Sequence, residues 1–247
     1  MIARAAFGEA ARLGQRGEGE QAATWPVRLG DEVCGWVKRH QTSAAARREV
    51  DALHVFRSVD GAGVNVVALR LQQGPWVVTE HARGAVVGPE DVEAWHQLAD
   101  WCRRLRALPV PHDPLPLETA LMQRWASAAR RVGLDAPPAA AGLAALAGYG
   151  RGWAHRDLRA DHLRRDGGHL TVIDAGQARP DHRYADAVAV AAAHGVDAAL
   201  ALHPEGLDDV AWFAARRLEA LATWAWGLRH DDARRVASAR ARWKAIG

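Results

Sequence analysis

The chain has 247 residues, 49% hydrophobic and 25% charged, which excludes disordered and collagen-like classes and leaves room for one large domain or two lobes sharing a cleft. No apolar run approaches the ~20 residues of a membrane helix, and the start carries Glu9 and Glu18 without an apolar block, so neither a membrane span nor a secretory leader is expected. Thirty-two basic against 29 acidic side chains leave a net charge of +3, too mild to indicate a nucleic-acid partner.

Residues 22–39 hold two β-type runs split by the turn signal Leu29-Gly30-Asp31. Residues 43–57 switch to helical spacing, with Ala46, Val50, Leu53 and Val55 or Phe56 on one side. Strands follow at 64–72 and 75–80, joined by Gln73-Gly74, so a compact antiparallel sheet carrying one helix ends near Arg83-Gly84. Residues 89–107 read as a helix, with Pro89 near its start, acidic residues early and arginines late. A Pro-rich connector at 109–116 leads to helices at 117–132 and 139–148, separated by Pro137-Pro138. Strand-and-loop structure fills 153–174, and helices run from Ala185 to the end. Cys34 and Cys102 stand apart in apolar surroundings, with no zinc spacing and no disulfide framework, which fits a reducing cytoplasm. The expected fold class is α+β: a small β lobe over 1–84 and a larger helical lobe over 85–247.

The informative segment is 154–176. Asp157 lies in His155-Arg156-Asp157-Leu158, and Asp174 closes the apolar run Leu170-Thr171-Val172-Ile173 before Ala175-Gly176. Asp166-Gly167-Gly168 is a tight turn, so the two aspartates are expected on neighbouring strand ends facing one cleft. Phosphoryl transfer from ATP requires such a pair: one carboxylate orients the acceptor hydroxyl, the other holds the magnesium that neutralises the phosphates. Two aspartates that merely cap turns are the plain alternative.

This segment resembles the catalytic and metal loops of the protein-kinase-like superfamily. The run from Asp174 to Asp186 is similar to the matching stretch of aminoglycoside 3′-phosphotransferases, and so is Trp101-Cys-Arg-Arg-Leu-Arg-Ala-Leu-Pro-Val110. The resemblance implies a two-lobed kinase-like fold and an ATP- or GTP-dependent phosphotransferase acting on the hydroxyl of an antibiotic or metabolite. It implies Asp157 as the catalytic carboxylate, Asp174 as the magnesium ligand, and Asp186 as a brace of the catalytic loop. Lys38 would contact the nucleotide phosphates with Glu49 as its partner, Gly17 and Gly19 would turn over them, and Glu80, His81 and Ala82 would form the adenine hinge.

Three departures from that pattern matter. His162 stands where the family places a metal-binding Asn, and is read as a secondary metal-site or loop-bracing residue. Arg156 replaces a usual Gly, and with His162 it resembles the lipopolysaccharide core sugar kinases, which keeps a glycan kinase open, alongside a nucleotide-binding protein weak in catalysis. Residues 216–247 carry eight Arg and Lys against three Asp and Glu, which reads either as a face that repels a polycation and tolerates a neutral or anionic acceptor or as a solvated helix face with i,i+4 pairs. Acidic residues left for a pocket are Glu118, Asp135, Glu205, Asp208 and Asp209. The short stretch between Gly176 and Asp186 argues against a peptide substrate, and no protein partner is indicated.

Overall fold

The structure, a computed structural model, describes residues 1–18, 22–59, 61, 63–135, 140–203 and 205–246. Gly19 and the Pro137-Pro138 separator lie outside the described residues. The first lobe contains α1 (Ile2–Phe7), β1 (Arg12–Leu13), β2 (Gly17–Glu18), β3 (Ala22–Leu29), β4 (Glu32–His40) and α2 (Ser43–Arg57). Then come β5 (Val64–Val66), β6 (Leu69–Gln73), β7 (Trp76–Glu80) and β8 (Ala85–Val86). Helices α3 (Val92–Ala107), α4 (Leu117–Val132) and α5 (Ala140–Gly148) precede β9 (Arg151–Ala154), β10 (Leu163–Asp166), β11 (His169–Val172) and β12 (Arg179–His182). The chain finishes with α6 (Ala185–His194), α7 (Val196–Ala201), α8 (Asp209–Arg229) and α9 (Ala233–Ala245).

The first sheet runs β1-β3-β4-β7-β6 with β2 on β3, antiparallel throughout. Gly30, at a φ of 62°, opens the two-residue turn that pairs Leu29 with Glu32. Val27, Val37 and Val78 project from one face of this sheet onto Ala3 and Phe7, so the sheet's outer side is covered by α1, which the sequence reading did not anticipate. Helix α2 is capped by the Thr42 hydroxyl, which accepts from Ala45 N–H at 3.1 Å. It buries Ala46, Ala52, Leu53 and Phe56, and on the same face the carboxylate of Glu49.

One expectation needs correction. Residues 64–72 do not form a single strand of the first sheet. The chain breaks at Val67-Ala68, and β5 instead runs parallel to β11 in a second sheet ordered β5-β11-β10-β8. Val64 and Val66 are buried with Asn65 exposed between them, so their apolar face is satisfied by the second lobe's core. Gly84, at a φ of 98°, carries the chain from β7 towards β8, and a Cβ there would collide with the Arg165 carbonyl.

The large core gathers Trp95, Leu98, Trp101 and Leu105 of α3 with Trp125, Leu143, Leu146 and Leu218. Phe56 of α2 joins it, edge-on to Trp101 at 5.2 Å and stacked on His155 at 5.6 Å, which ties the first lobe's helix to the loop after β9. Among the described residues no helix is long and apolar enough to cross a membrane.

Candidate active site

Four of the expected residues converge where the first sheet faces the loops after β9 and β11. Lys38 lies on β4, and its Nζ sits 2.9 Å from Glu49 Oε1 and 2.7 Å from Asp174 Oδ1. His40, two residues on and therefore on the same side of the strand, brings Nε2 to 2.6 Å from Glu49 Oε2. Burial alone would lower the Lys38 pKa, but the Glu49 and Asp174 carboxylates outweigh it and hold the ammonium above its ordinary value. Burial would likewise raise Asp174, and Lys38 and His162 reverse this, keeping its carboxyl well below the usual range. Asp174 itself adopts φ 61°, a left-handed conformation that is costly for a residue with a side chain. Its Oδ1 also accepts from Gly176 N–H at 3.3 Å, so the tight turn and the aim of the carboxylate are fixed together.

The loop after β9 is held from below. Asp186, at the start of α6, accepts from Arg156 N–H at 2.7 Å and from His155 N–H at 3.3 Å. Arg156 has φ 67°, so this brace secures a second left-handed residue beside Asp157. His155 and His162 have their tautomers fixed by their partners. Ile173 C=O only accepts, so His155 Nε2 donates to it at 2.9 Å, and Nδ1 accepts from Asp157 N–H at 3.3 Å. His162 Nδ1 donates to Asp157 C=O at 2.7 Å, and Nε2 accepts from the Arg159 guanidinium at 2.9 Å. The His162 ring lies between the carboxylates of Asp157, 3.5 Å from Nδ1, and Asp174, 3.7 Å from Nε2.

These buried imidazoles carry a pH consequence. Burial lowers His155 from 6.5 to about 4, and burial likewise lowers His182 of β12 to about 4. Between those values the unfolded chain binds protons that the folded chain does not, so stability is complete above 6.5 and declines as pH falls towards 4. The expected loss is about 2 kcal/mol per histidine between pH 7 and 5. Urea unfolding at the two pH values checks it: midpoints that do not fall would remove the neutral, buried assignment.

Two cavities border this cluster, one at Lys38 and Asp174 and the other at Asp157. One, of about 280 Å³, is lined by Trp36, Lys38, Glu49, Val67, Thr79, Ile173 and Asp174 and by Glu80, His81 and Ala82, the expected hinge. In that hinge His81 N–H donates to Cys34 C=O at 3.0 Å, whereas Ala82 N–H makes no backbone hydrogen bond among the described residues. The other, of about 440 Å³, opens on the far side of Asp157 among Arg124, Arg156, Arg179, Glu219, Trp226 and Arg242. A narrow cleft lined by Thr24, Lys38, Asp157, Asp174 and Gln177 lies between them. Gly17 pairs with Thr24 across β2 and β3, which places it at the edge of this cleft.

Sequence reasoning missed part of this wall. Arg124 and Asp181 are distant in sequence and carry no motif, yet Arg124 approaches Asp181 at 3.5 Å and Glu219 at 2.6 Å. The five acidic residues left for a pocket, Glu118, Asp135, Glu205, Asp208 and Asp209, are all exposed and none lines the 440 Å³ cavity. Asp208 instead caps α8 through Ala211 N–H at 2.8 Å. Of the four C-terminal tryptophans, Trp226 lines the cavity, whereas Trp212 is buried in the core and Trp243 packs on Trp125.

No protein-family model matches the chain, and neither does any curated protein sequence. Solved structures do. APH(2″)-IIia, in complex with GDP and kanamycin, superposes with a TM-score of 0.72 at 15% identity over 99% of this chain and 96% of its own. A thermostable mutant of aminoglycoside phosphotransferase APH(4)-Ia gives 0.71 at 17% identity over 97% and 95%. The gentamicin complex of APH(2″)-IIa gives 0.67 at 12% identity over 94% and 90%. Such identities speak to architecture alone. A small antiparallel sheet packed against α1 and α2, followed by a helical lobe, is the protein-kinase-like fold of these solved structures, and this chain has it.

Proposed function

We propose that the protein is a nucleotide-dependent O-phosphotransferase that moves the γ-phosphoryl group of ATP or GTP to a hydroxyl of a small molecule. The convergence of Lys38, Glu49, Asp174 and Asp157 on one cleft carries this reading. The base would lie against Trp36, Val67 and Ile173, with Ala82 N–H as the free hinge donor. Lys38, pointed by Glu49, would contact the phosphates as a compact point charge. Gly17 would help the hairpin of β2 and β3 cover them.

The fold implies magnesium, and the donor set fits it. Asp174 offers a partly exposed hard carboxylate in the cavity wall, and Asp161 lines the same cavity. Bound there, magnesium would offset the charge of the phosphates. His162 suits ligation poorly, because its Nε2 lone pair accepts from Arg159, so bracing Asp157 is its better role. In the transfer step Asp157 would take the proton of the acceptor hydroxyl as its oxygen bonds to the γ-phosphorus. The bond to the bridging oxygen breaks, and a nucleoside diphosphate leaves.

Calorimetry with ATP in the presence and absence of magnesium tests the nucleotide half of the proposal. The wild type should bind more tightly with the metal, and Asp174→Asn should lose at least tenfold of that gain. Equal affinity with and without magnesium in the wild type would contradict the assignment of Asp174. Binding without acceptor-dependent turnover would favour a kinase fold that has left catalysis.

A further inference from the structure

The 440 Å³ cavity beside Asp157 has an unusual wall. Six guanidinium groups line it, from Arg124, Arg156, Arg159, Arg179, Arg235 and Arg242, against the carboxylates of Asp157 and Glu219 alone. Glu219 is already neutralised, with Arg124 at 2.6 Å and Arg156 at 3.7 Å. Buried Asp181 beneath takes Arg156 at 2.7 Å and Arg124 at 3.5 Å, and stands 3.9 Å from Arg179. Arg159 meets Asp157 at 3.2 Å and Asp161 at 3.7 Å, while Arg235 meets Asp232 at 3.7 Å. That leaves two guanidiniums under-compensated. Among the described residues Arg179 has no carboxylate closer than 3.9 Å, and Arg242 makes no ion pair, Glu219 acting on it only from farther off, while its buried Nε has no hydrogen-bond partner.

A polyamine acceptor would find Glu219 and Asp157 already engaged by arginines and two under-compensated guanidiniums in a partly enclosed space, where each repulsion costs more than in water. An anion would relieve the crowding. Burial is the main cause that lowers the Arg156 pKa and lowers Arg179 to about 10, and neighbouring guanidiniums, Arg124 beside Arg156 and Arg156 beside Arg179, add to it. A guanidinium also matches phosphate and carboxylate geometry through paired N–H donors.

Resting on the phosphotransfer reading, we propose that the acceptor is a hydroxylated anion. It is a small polyhydroxyl compound with a phosphate or carboxylate group that Arg242 and Arg179 hold while one hydroxyl faces Asp157. The reaction is the transfer written above: the hydroxyl proton passes to Asp157, the γ-phosphoryl group joins the acceptor oxygen, and the nucleoside diphosphate departs.

The test uses the full chain with its nucleotide site filled by ADP and magnesium, and titrates glucose 6-phosphate, gluconate, glucose and kanamycin by calorimetry. One or both anions should bind at least tenfold more tightly than glucose, and kanamycin should not bind. Comparing the two anions separates a phosphate from a carboxylate. Arg242→Glu should weaken the anion at least tenfold and Arg242→Lys should restore part of the loss, with thermal melting and ADP affinity confirming that each variant is folded. Kanamycin binding without either anion, neither anion binding, or equal anion affinity in Arg242→Glu and wild type overturns the anionic assignment and leaves the phosphotransfer reading standing. Failure of the wild type to bind ADP with magnesium overturns that reading itself.

Discussion

Asp157→Asn is expected to slow phosphoryl transfer by about 10³-fold while nucleotide affinity and stability stay close to wild type. Asn keeps the shape of the side chain and removes the capacity to take a proton. Asp157 is partly exposed where the 440 Å³ cavity meets the narrow cleft, so its replacement leaves no buried charge uncompensated. Its backbone remains held by His162, which donates to the Asp157 carbonyl at 2.7 Å, and by the Asp186 brace beneath Arg156. Single-turnover kinetics beside ATP calorimetry separates the two quantities. A variant with unchanged turnover would remove Asp157 from the chemistry; one that loses transfer and nucleotide binding together would make it structural.

The second large effect is expected at Glu49. Its side chain is 1% exposed and is held between Lys38 at 2.9 Å and His40 at 2.6 Å. Glu49→Leu removes one partner of a buried pair and leaves Lys38 to Asp174 alone, a change that costs about 3–5 kcal/mol. Glu49→Gln keeps the volume and should cost less, but should still detach Lys38 from its aim and raise KM for nucleotide. Burial would raise the Glu49 pKa, and the neighbouring Lys38 charge outweighs it, so the folded value lies below the ordinary 4.5. The charge therefore stabilises the fold above pH 4.5, and this contribution is lost as pH falls through the folded value. The gap between wild type and Glu49→Gln in urea midpoint should accordingly be wide at pH 7 and shrink progressively as pH falls below 4.5. A constant gap would mean that the carboxylate contributes by shape alone.

The fold was legible where local physics decides it. Helix α2 begins at a Thr42 cap and carries a buried stripe that is apolar except for Glu49, and its expected span, 43–57, matches. Helix α4 at 117–132 is equally well marked, ending at Gly133 in the left-handed conformation. Strand β5 was misplaced because an apolar Val-Asn-Val run fits either lobe, and only pairing with β11 selects between them. Helix α1 was missed because six residues at the chain start carry little periodicity, and its fit depends on the valine face of the first sheet.

The site divides in the same way. Lys38, Glu49, Asp157, Asp174 and Asp186 were readable because motif order and spacing place them, and the structure brings the first four to one cleft. The arginine wall was only partly readable. An excess of basic residues over 216–247 was visible, but Arg124, Asp181 and Glu219 lie on α4, β12 and α8, and tertiary packing alone brings them together. The net charge of a segment could not show which arginines are paired and which, like Arg242, make no ion pair among the described residues.

The most direct test of the central claim is mass spectrometry of acceptors incubated with ATP or GTP and magnesium, wild type and Asp157→Asn side by side. The panel holds phosphorylated, carboxylated and neutral sugars together with aminoglycosides. The account predicts that a hydroxyl compound gains one phosphoryl group with stoichiometric release of nucleoside diphosphate, and that the gain disappears with Asp157→Asn. Phosphoryl gain that persists undiminished in the variant, or a wild type that neither binds nucleotide nor modifies any acceptor, would contradict it.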